Sequence, residues 1–240
     1  MHFVFLQCCH DGCRFRFPAS AAEAGALVCP RCRGPLRQVA ATTKVAITSR
    51  ADSTAMPLVG LLDNIRSIHN VGSMFRSADG AGASHLHLAG ITATPTHPKL
   101  AKAALGAQET VTWTYHPNGV AAAEGLKAAG VKLWALERMA GLSEQPSLFN
   151  VPVPGAPIAV VVGNEKAGVD PGILELCDAV VSLPMFGRKS SLNVAVAFGI
   201  ALYFLRFGAQ TEAREPGGRD GHDWPAGQHT VGHDLVRRLR

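Results

Sequence analysis

From residue 58 onward, short apolar runs alternate with longer segments whose apolar residues recur every three or four positions. The runs are LVGLLDN (58–64), HLHLAG (85–90), VKLWALE (131–137), IAVVVGN (158–164) and AVVSLPM (179–185), several closing on Gly or Asn. Their length and β-branched content predict strands, and the spacing between them predicts helices near 70–82, 98–106, 117–130, 170–177 and 191–206. Strand–helix alternation of this kind predicts an α/β fold, a mostly parallel sheet covered on both faces. No internal repeat interrupts the rhythm.

The two ends of the chain do not share it. Residues 33–57 are polar, lack apolar periodicity and close on Pro57, and the stretch from 208 is rich in Gly, Arg and His. The expected organisation is a small module at 1–40, a linker at 41–57, the α/β domain at 58–207 and a flexible tail at 208–240. No apolar run reaches the roughly 18–20 residues that span a bilayer, so no membrane partner is expected. The opening MHFVFLQCCHDGC lacks a basic segment and a small-residue cleavage site, which predicts no signal peptide and a cytoplasmic protein.

Five of the six cysteines lie in residues 8–32. Cys8 and Cys13 form one short-spaced pair, Cys29 and Cys32 another, and two such pairs bring four sulfurs to one point, as tetrahedral zinc requires. Disulfides compete with that reading, but a reducing compartment disfavours them. CPRC followed by Gly34 makes a clean knuckle; at the first pair, Cys9 and His10 are alternatives to Cys8. The expectation is a zinc-ribbon-like module. Cys177, alone in an apolar run, reads as a small core residue.

Composition adds location more than amount. The 47% hydrophobic content suffices for a real core, and the net charge of +5 is carried by the first fifth of the chain. Residues 1–50 hold seven Arg or Lys against two Asp or Glu, whereas residues 51–240 hold sixteen of each sign. A basic appendage on a neutral body suits a polyanion, and equally suits a merely solubilising surface.

In parallel sheets, ligands bind beyond the carboxyl ends of the strands. Two loops there are unusual, NIRSIHNVGSMFRSADGAGA (64–83) and VVGNEKAGVDPG (161–172), and a third stretch, LPMFGRKSSLNVAVA (183–197), sets polar residues between two apolar segments. There is no G-x-G-x-x-G, no P-loop and no G-x-S-x-G, so dinucleotide, nucleotide and α/β-hydrolase chemistries are not supported. Taken alone, Ser190 and Asn193 serve as helix caps, Asn70 as a cap near Val71, and Gly90 and Gly163 as tight turns.

Together the three stretches resemble the sequence motifs of the SpoU/TrmH family of RNA ribose 2′-O-methyltransferases, in the SPOUT superfamily. Asn70, Gly72 and Arg76 match the first motif, and Gly163, Glu165 and Gly168 the second. Pro184, Gly187, Ser191, Leu192 and Asn193 match the third, and LGAQETVTW (105–113) resembles the segment between. The resemblance covers residues 58–206 and implies a carboxyl-terminal trefoil knot, a homodimer and S-adenosylmethionine bound in the knot. It places Leu88, Gly90, Gly163, Leu183, Met185 and Leu192 at the cofactor. It places Asn70, Arg76, Glu165, Ser191 and Asn193 at the reacting centre.

The reaction so implied moves a methyl group from a sulfonium to a ribose 2′-hydroxyl of a structured RNA, transfer or ribosomal. Arg76 then occupies the position of the family's catalytic arginine. A guanidinium with a pKa above about 12 is a poor base, and better suited to clamp a phosphate and steady an incipient alkoxide. Two other readings remain from sequence: a non-catalytic RNA-binding or assembly protein on the same fold, and a zinc module acting as a protein hook.

Overall fold

The computed structural model describes residues 2–41, 56–139 and 145–208, so the expected tail beyond 208 and most of the expected linker lie outside the described residues. The chain divides into two compact units, Met1–Ala51 and Asp52–Arg240.

The first unit is a three-stranded antiparallel sheet: β1 (Phe3–Cys8), β2 (Arg16–Ser20) and β3 (Leu36–Ala41), in the order β2-β1-β3. Alternation along β1 sends Val4, Leu6 and Cys8 inward and leaves Phe3, Phe5 and Gln7 outward. Val4, Leu6 and Ala19 make the buried core, with Phe17, Ala24 and Leu36 packed against it. β3 falls in a stretch whose sequence shows no periodicity, and the pairing explains why. Phe5 pairs with Ala40 but Leu6 with Gln38, so an irregularity there breaks the in–out alternation of β3.

The second unit carries six strands: β4 (Leu58–Asp63), β5 (His85–Ala89), β6 (Thr112–His116), β7 (Lys132–Leu136), β8 (Ile158–Val162) and β9 (Ala179–Val181). They stand in the order β6-β5-β4-β8-β7-β9, and every pairing is parallel. The helices are α1 (Ile68–Ala81), α2 (Pro98–Ala104), α3 (Ala107–Thr110), α4 (Gly119–Ala128), α5 (Pro171–Leu174) and α6 (Val194–Tyr203). β8 is buried at all five positions, as a central parallel strand should be. Ile158, Val160 and Val162 join the core under α1, α2 and α6, while Ala159 and Val161 join the core under α4 and α5. β6 and α3 replace the single connecting segment read from sequence. TWTYH lacks an apolar run because β6 is an edge strand with Thr112, Thr114 and Tyr115 exposed.

Two features set the position of α6. Phe198, fully buried, sits against Gly60 of β4, where a Cβ would lie 2.8 Å from the Phe198 ring. The chain reaches α6 by a crossing. After β9, Ser182 donates its N–H to the Pro146 carbonyl (2.9 Å) and accepts from Leu148 (2.8 Å), while Glu137 donates to Val181 (3.1 Å). Residues 181–182 are thus stitched between the chain leaving β7 and the chain approaching β8 before the backbone returns to α1's face. The fold class is the anticipated one, a parallel α/β sheet with the carboxyl-terminal crossing of the trefoil-knotted class.

Candidate active site

The carboxyl ends of β7 and β8 and the segment leading into α6 enclose a cleft of about 340 Å³, within the range of small-molecule sites. Leu136, Leu183, Met185 and Leu192 give it apolar walls, and Glu165, Ser191 and Asn193 bring polar groups to it. Gly163 lies at its floor, and the reason for glycine is local. A Cβ there would collide with the Gly168 carbonyl, and Asn164 and Gly168 exchange two backbone hydrogen bonds of 2.9 and 2.8 Å that close the loop.

Hydrogen bonds join three distant stretches beside this cleft. The Glu165 carboxylate accepts from the backbone N–H of Arg66 (2.9 Å) and Ser67 (3.0 Å) and from the Asn70 side-chain amide (2.8 Å). The Asn70 oxygen accepts from Asn193 Nδ2 at 3.0 Å. The Asn193 oxygen in turn caps α6, accepting from Ala195 (2.9 Å) and Val196 (3.3 Å). Burial pushes the Glu165 carboxyl up, but its three donors outweigh that and hold it below the ordinary carboxylate range.

The caps match expectation only in part. Ser67, not Asn70, caps α1, and Asn193 rather than Ser190 caps α6. Capping therefore uses only the Asn70 backbone N–H, which donates to Ser67 Oγ (3.3 Å), and its side-chain amide bridges Glu165 and Asn193.

Three residues expected at the site lie elsewhere. Leu88 is fully buried in the core beneath α1, because its position in β5 points to that face of the sheet. Gly90 sits at φ +62° against the Asn64 side chain, so it answers to backbone geometry and close packing and does not line the cleft. Arg76 does not line it either. It borders a separate recess with Asp79, Leu105, Gly106 and Thr110. Six residues on from Asn70 is about 120° away around the helix, so the two side chains leave α1 on different faces. Conversely, Glu137 and Arg138 line the cleft and were not anticipated. Glu137 accepts from the Val169 N–H (3.0 Å), and Arg138 donates to the Ser190 carbonyl (3.1 Å). Their place at the end of β7 was the available signal.

In the first unit the sulfurs of Cys8, Cys13, Cys29 and Cys32 all lie within 4.8 Å of one another. Cys8 and Cys32 are 3.4 Å apart and Cys13 and Cys29 3.8 Å, against about 3.8 Å between sulfurs on a tetrahedral zinc. Cys8 rather than Cys9 completes the set, with the His10 ring 3.6 Å from the Cys32 sulfur. The residues following the second cysteine of each pair, Arg14 and Arg33, both take left-handed backbone conformations (φ +46° and +62°). Each pair thus ends in the same kind of turn.

Residues 57–203 match the SpoU rRNA Methylase family. The chain belongs to that family. Among similar proteins is the 23S rRNA (guanosine-2′-O-)-methyltransferase RlmB of Burkholderia sp, 40% identical over 152 residues, covering 61% of this chain and 58% of that protein. Another is the 23S rRNA (guanosine(2553)-2′-O)-methyltransferase RlmP of Bacillus subtilis (strain 168), 36% identical over 148 residues, covering 61% and 56%. The chain thus spans well under two thirds of the length of these relatives. Among solved structures, the SpoU methyltransferase AviRb of Streptomyces viridochromogenes in complex with AdoMet is 31% identical with a TM-score of 0.57, covering 67% of this chain and 62% of its own.

Proposed function

We propose that the chain transfers a methyl group from S-adenosylmethionine to a ribose 2′-hydroxyl of a ribosomal or transfer RNA, working as a homodimer in the cytoplasm. The observation that carries this reading is the Glu165–Asn70–Asn193 chain of hydrogen bonds, which gathers the three motif stretches beside one cleft. The residues present fit the cofactor. Leu136, Leu183, Met185 and Leu192 offer apolar surface for an adenosine, and Glu137, Ser191 and backbone groups offer hydrogen-bonding partners. When bound, S-adenosylmethionine supplies a methyl group already made electrophilic by its sulfonium.

What remains for the protein is to position the hydroxyl and steady its developing charge. Ser191 is exposed in the cleft wall and serves to orient the acceptor; Asn193, fixed by the α6 cap and Asn70, holds the wall in place. Arg76 fits the role of a fork on an RNA phosphate that also stabilises an alkoxide, and it would act from the partner protomer. Two observations support a dimer. Arg76 lies outside the cleft of its own chain. Val196 and Tyr203, seven positions apart and so on one side of α6, are 52% and 47% exposed, and Phe207, in the turn that follows, is 57% exposed.

The amino-terminal cysteines fit structural zinc, and their basic module would add phosphate contacts to RNA. The division into a zinc module at 1–40, a linker at 41–57, a methyltransferase domain at 58–207 and a tail at 208–240 belongs to the same reading. The position of Arg76 also favours the second reading, RNA binding without turnover. Incubation with labelled S-adenosylmethionine and total RNA decides between them: label in RNA at a ribose supports transfer, and binding without label sinks it.

A further inference from the structure

The outer face of the β2-β1-β3 sheet has a composition that its fold does not require. On this face Phe5 stands between Pro18 of β2 and Ala40 of β3, and Gln7 between Arg16 and Arg37. Phe3, 43% exposed, continues the row. The Arg16 guanidinium lies over the Phe5 ring, its Cζ 5.7 Å from the centroid. Arg16, Pro18 and Arg37 are all exposed.

A bare apolar patch would suit a protein partner; rings interleaved with guanidinium groups suit something flat and anionic. Between residues 1 and 41 the sequence has five arginines against two acidic residues, Asp11 and Glu23, which adds charge complementarity to the shape. Unpaired bases stack on aromatic rings and on guanidinium planes, while the phosphates beside them pair with arginine. A duplex hides its bases, so it could use the arginines but not the rings.

We infer that this face binds single-stranded RNA, stacking bases on Phe3 and Phe5 while Arg16 and Arg37 hold the adjoining phosphates. That the strand is RNA and not DNA rests on the methyl-transfer reading; the stacking does not.

The test uses the full chain and a fluorescein-labelled oligouridine of about twelve nucleotides, within the span of known single-strand sites, beside a duplex RNA of equal length. Phe5→Ala should weaken binding of the single strand roughly tenfold and leave the duplex unaffected. Phe5→Trp should keep the affinity, and its added indole emission should be quenched by the oligonucleotide. Arg16→Gln should weaken both RNAs and lower the salt slope by about one phosphate. Metal content and thermal unfolding show that each variant keeps the module folded. The inference is overturned if folded Phe5→Ala binds the single strand as tightly as the unsubstituted chain, or if the Phe5→Trp emission does not move at saturation. Methyl transfer in the same preparations separates the two readings. Turnover with no Phe5 effect sinks this inference alone; Phe5-dependent binding with no turnover sinks methyl transfer alone.

Discussion

Asn70 and Asn193, 123 positions apart in the chain, share a 3.0 Å hydrogen bond between their side-chain amides. Each amide is also engaged at its other end, Asn70 with Glu165 and Asn193 with the first N–H groups of α6. The starts of α1 and α6 and the 163–168 loop therefore form one braced unit, and the cleft wall cannot shift without breaking a charge-assisted or a capping bond.

Replacing Asn70 tests that brace. Asn70→Ala leaves Glu165 with two of its three donors and Asn193 without its acceptor. The expected loss is about 1–2 kcal/mol of stability, with cofactor affinity falling more than stability because the cleft wall loosens. A double-mutant cycle with Asn193→Ala, read by chemical unfolding, should give a coupling near 1 kcal/mol. Strict additivity would show that the two amides are independent.

Acid should release the same brace. The folded Glu165 carboxyl sits below its ordinary value, so its stabilisation is full above the ordinary carboxylate range and disappears as pH falls through the folded value. The gap in unfolding midpoint between the unsubstituted chain and Glu165→Gln should be widest at about pH 6 and narrow toward about pH 3. An equal gap at both ends would mean that charge is not what Glu165 contributes.

How much of this was readable in one dimension depends on the residue. Glu165 and Asn193 stand out because polar residues interrupt runs that otherwise want burial, and both line the cleft. Leu88 was misplaced although β5 declares its faces: in HLHLA, Leu86 and Leu88 share the buried side and alternate with the half-buried His85 and His87, so the period of two already set Leu88 into the core. Gly90 misled for a different reason: a glycine needed for φ +62° looks the same in sequence as one making room for a ligand. β3 escaped notice because its irregular pairing erases alternation, and β6 because an edge strand tolerates threonines on its open side. Arg76 is the instructive case. Its motif groups it with Asn70, but a motif does not say which face of α1 a residue takes: six positions on lies about 120° away around the helix, and Arg76 borders the other recess.

The place of Arg76 outside its own cleft makes complementation between protomers the decisive measurement for it. Arg76→Ala and Asn193→Ala should each be inactive alone. Mixed and reassociated, they should recover about a quarter of full activity, since half the dimers pair unlike chains and each of those holds one intact site. Arg76→Lys should not substitute for the arginine in any mixture, because an ammonium lacks the planar fork. Failure of the mixture to recover activity, with heterodimers verified, would remove the shared-site arrangement.

The cysteine cluster should govern the first unit and nothing else. Among the described residues, Val4, Leu6 and Ala19 are the buried apolar core of that sheet besides its cysteines, too little to hold three strands without a cross-link. Zinc analysis should return about one ion per chain, and Cys29→Ser should lower that value and expose residues 1–41 to protease. The main unfolding transition, set by the two layers around β8, should stay within a degree or two. RNA affinity should fall and its salt dependence flatten, because the basic module no longer presents its arginines in one arrangement. A Cys29→Ser chain that keeps its metal, resists protease and binds RNA with an unchanged salt slope would show that the four sulfurs gather for some other reason.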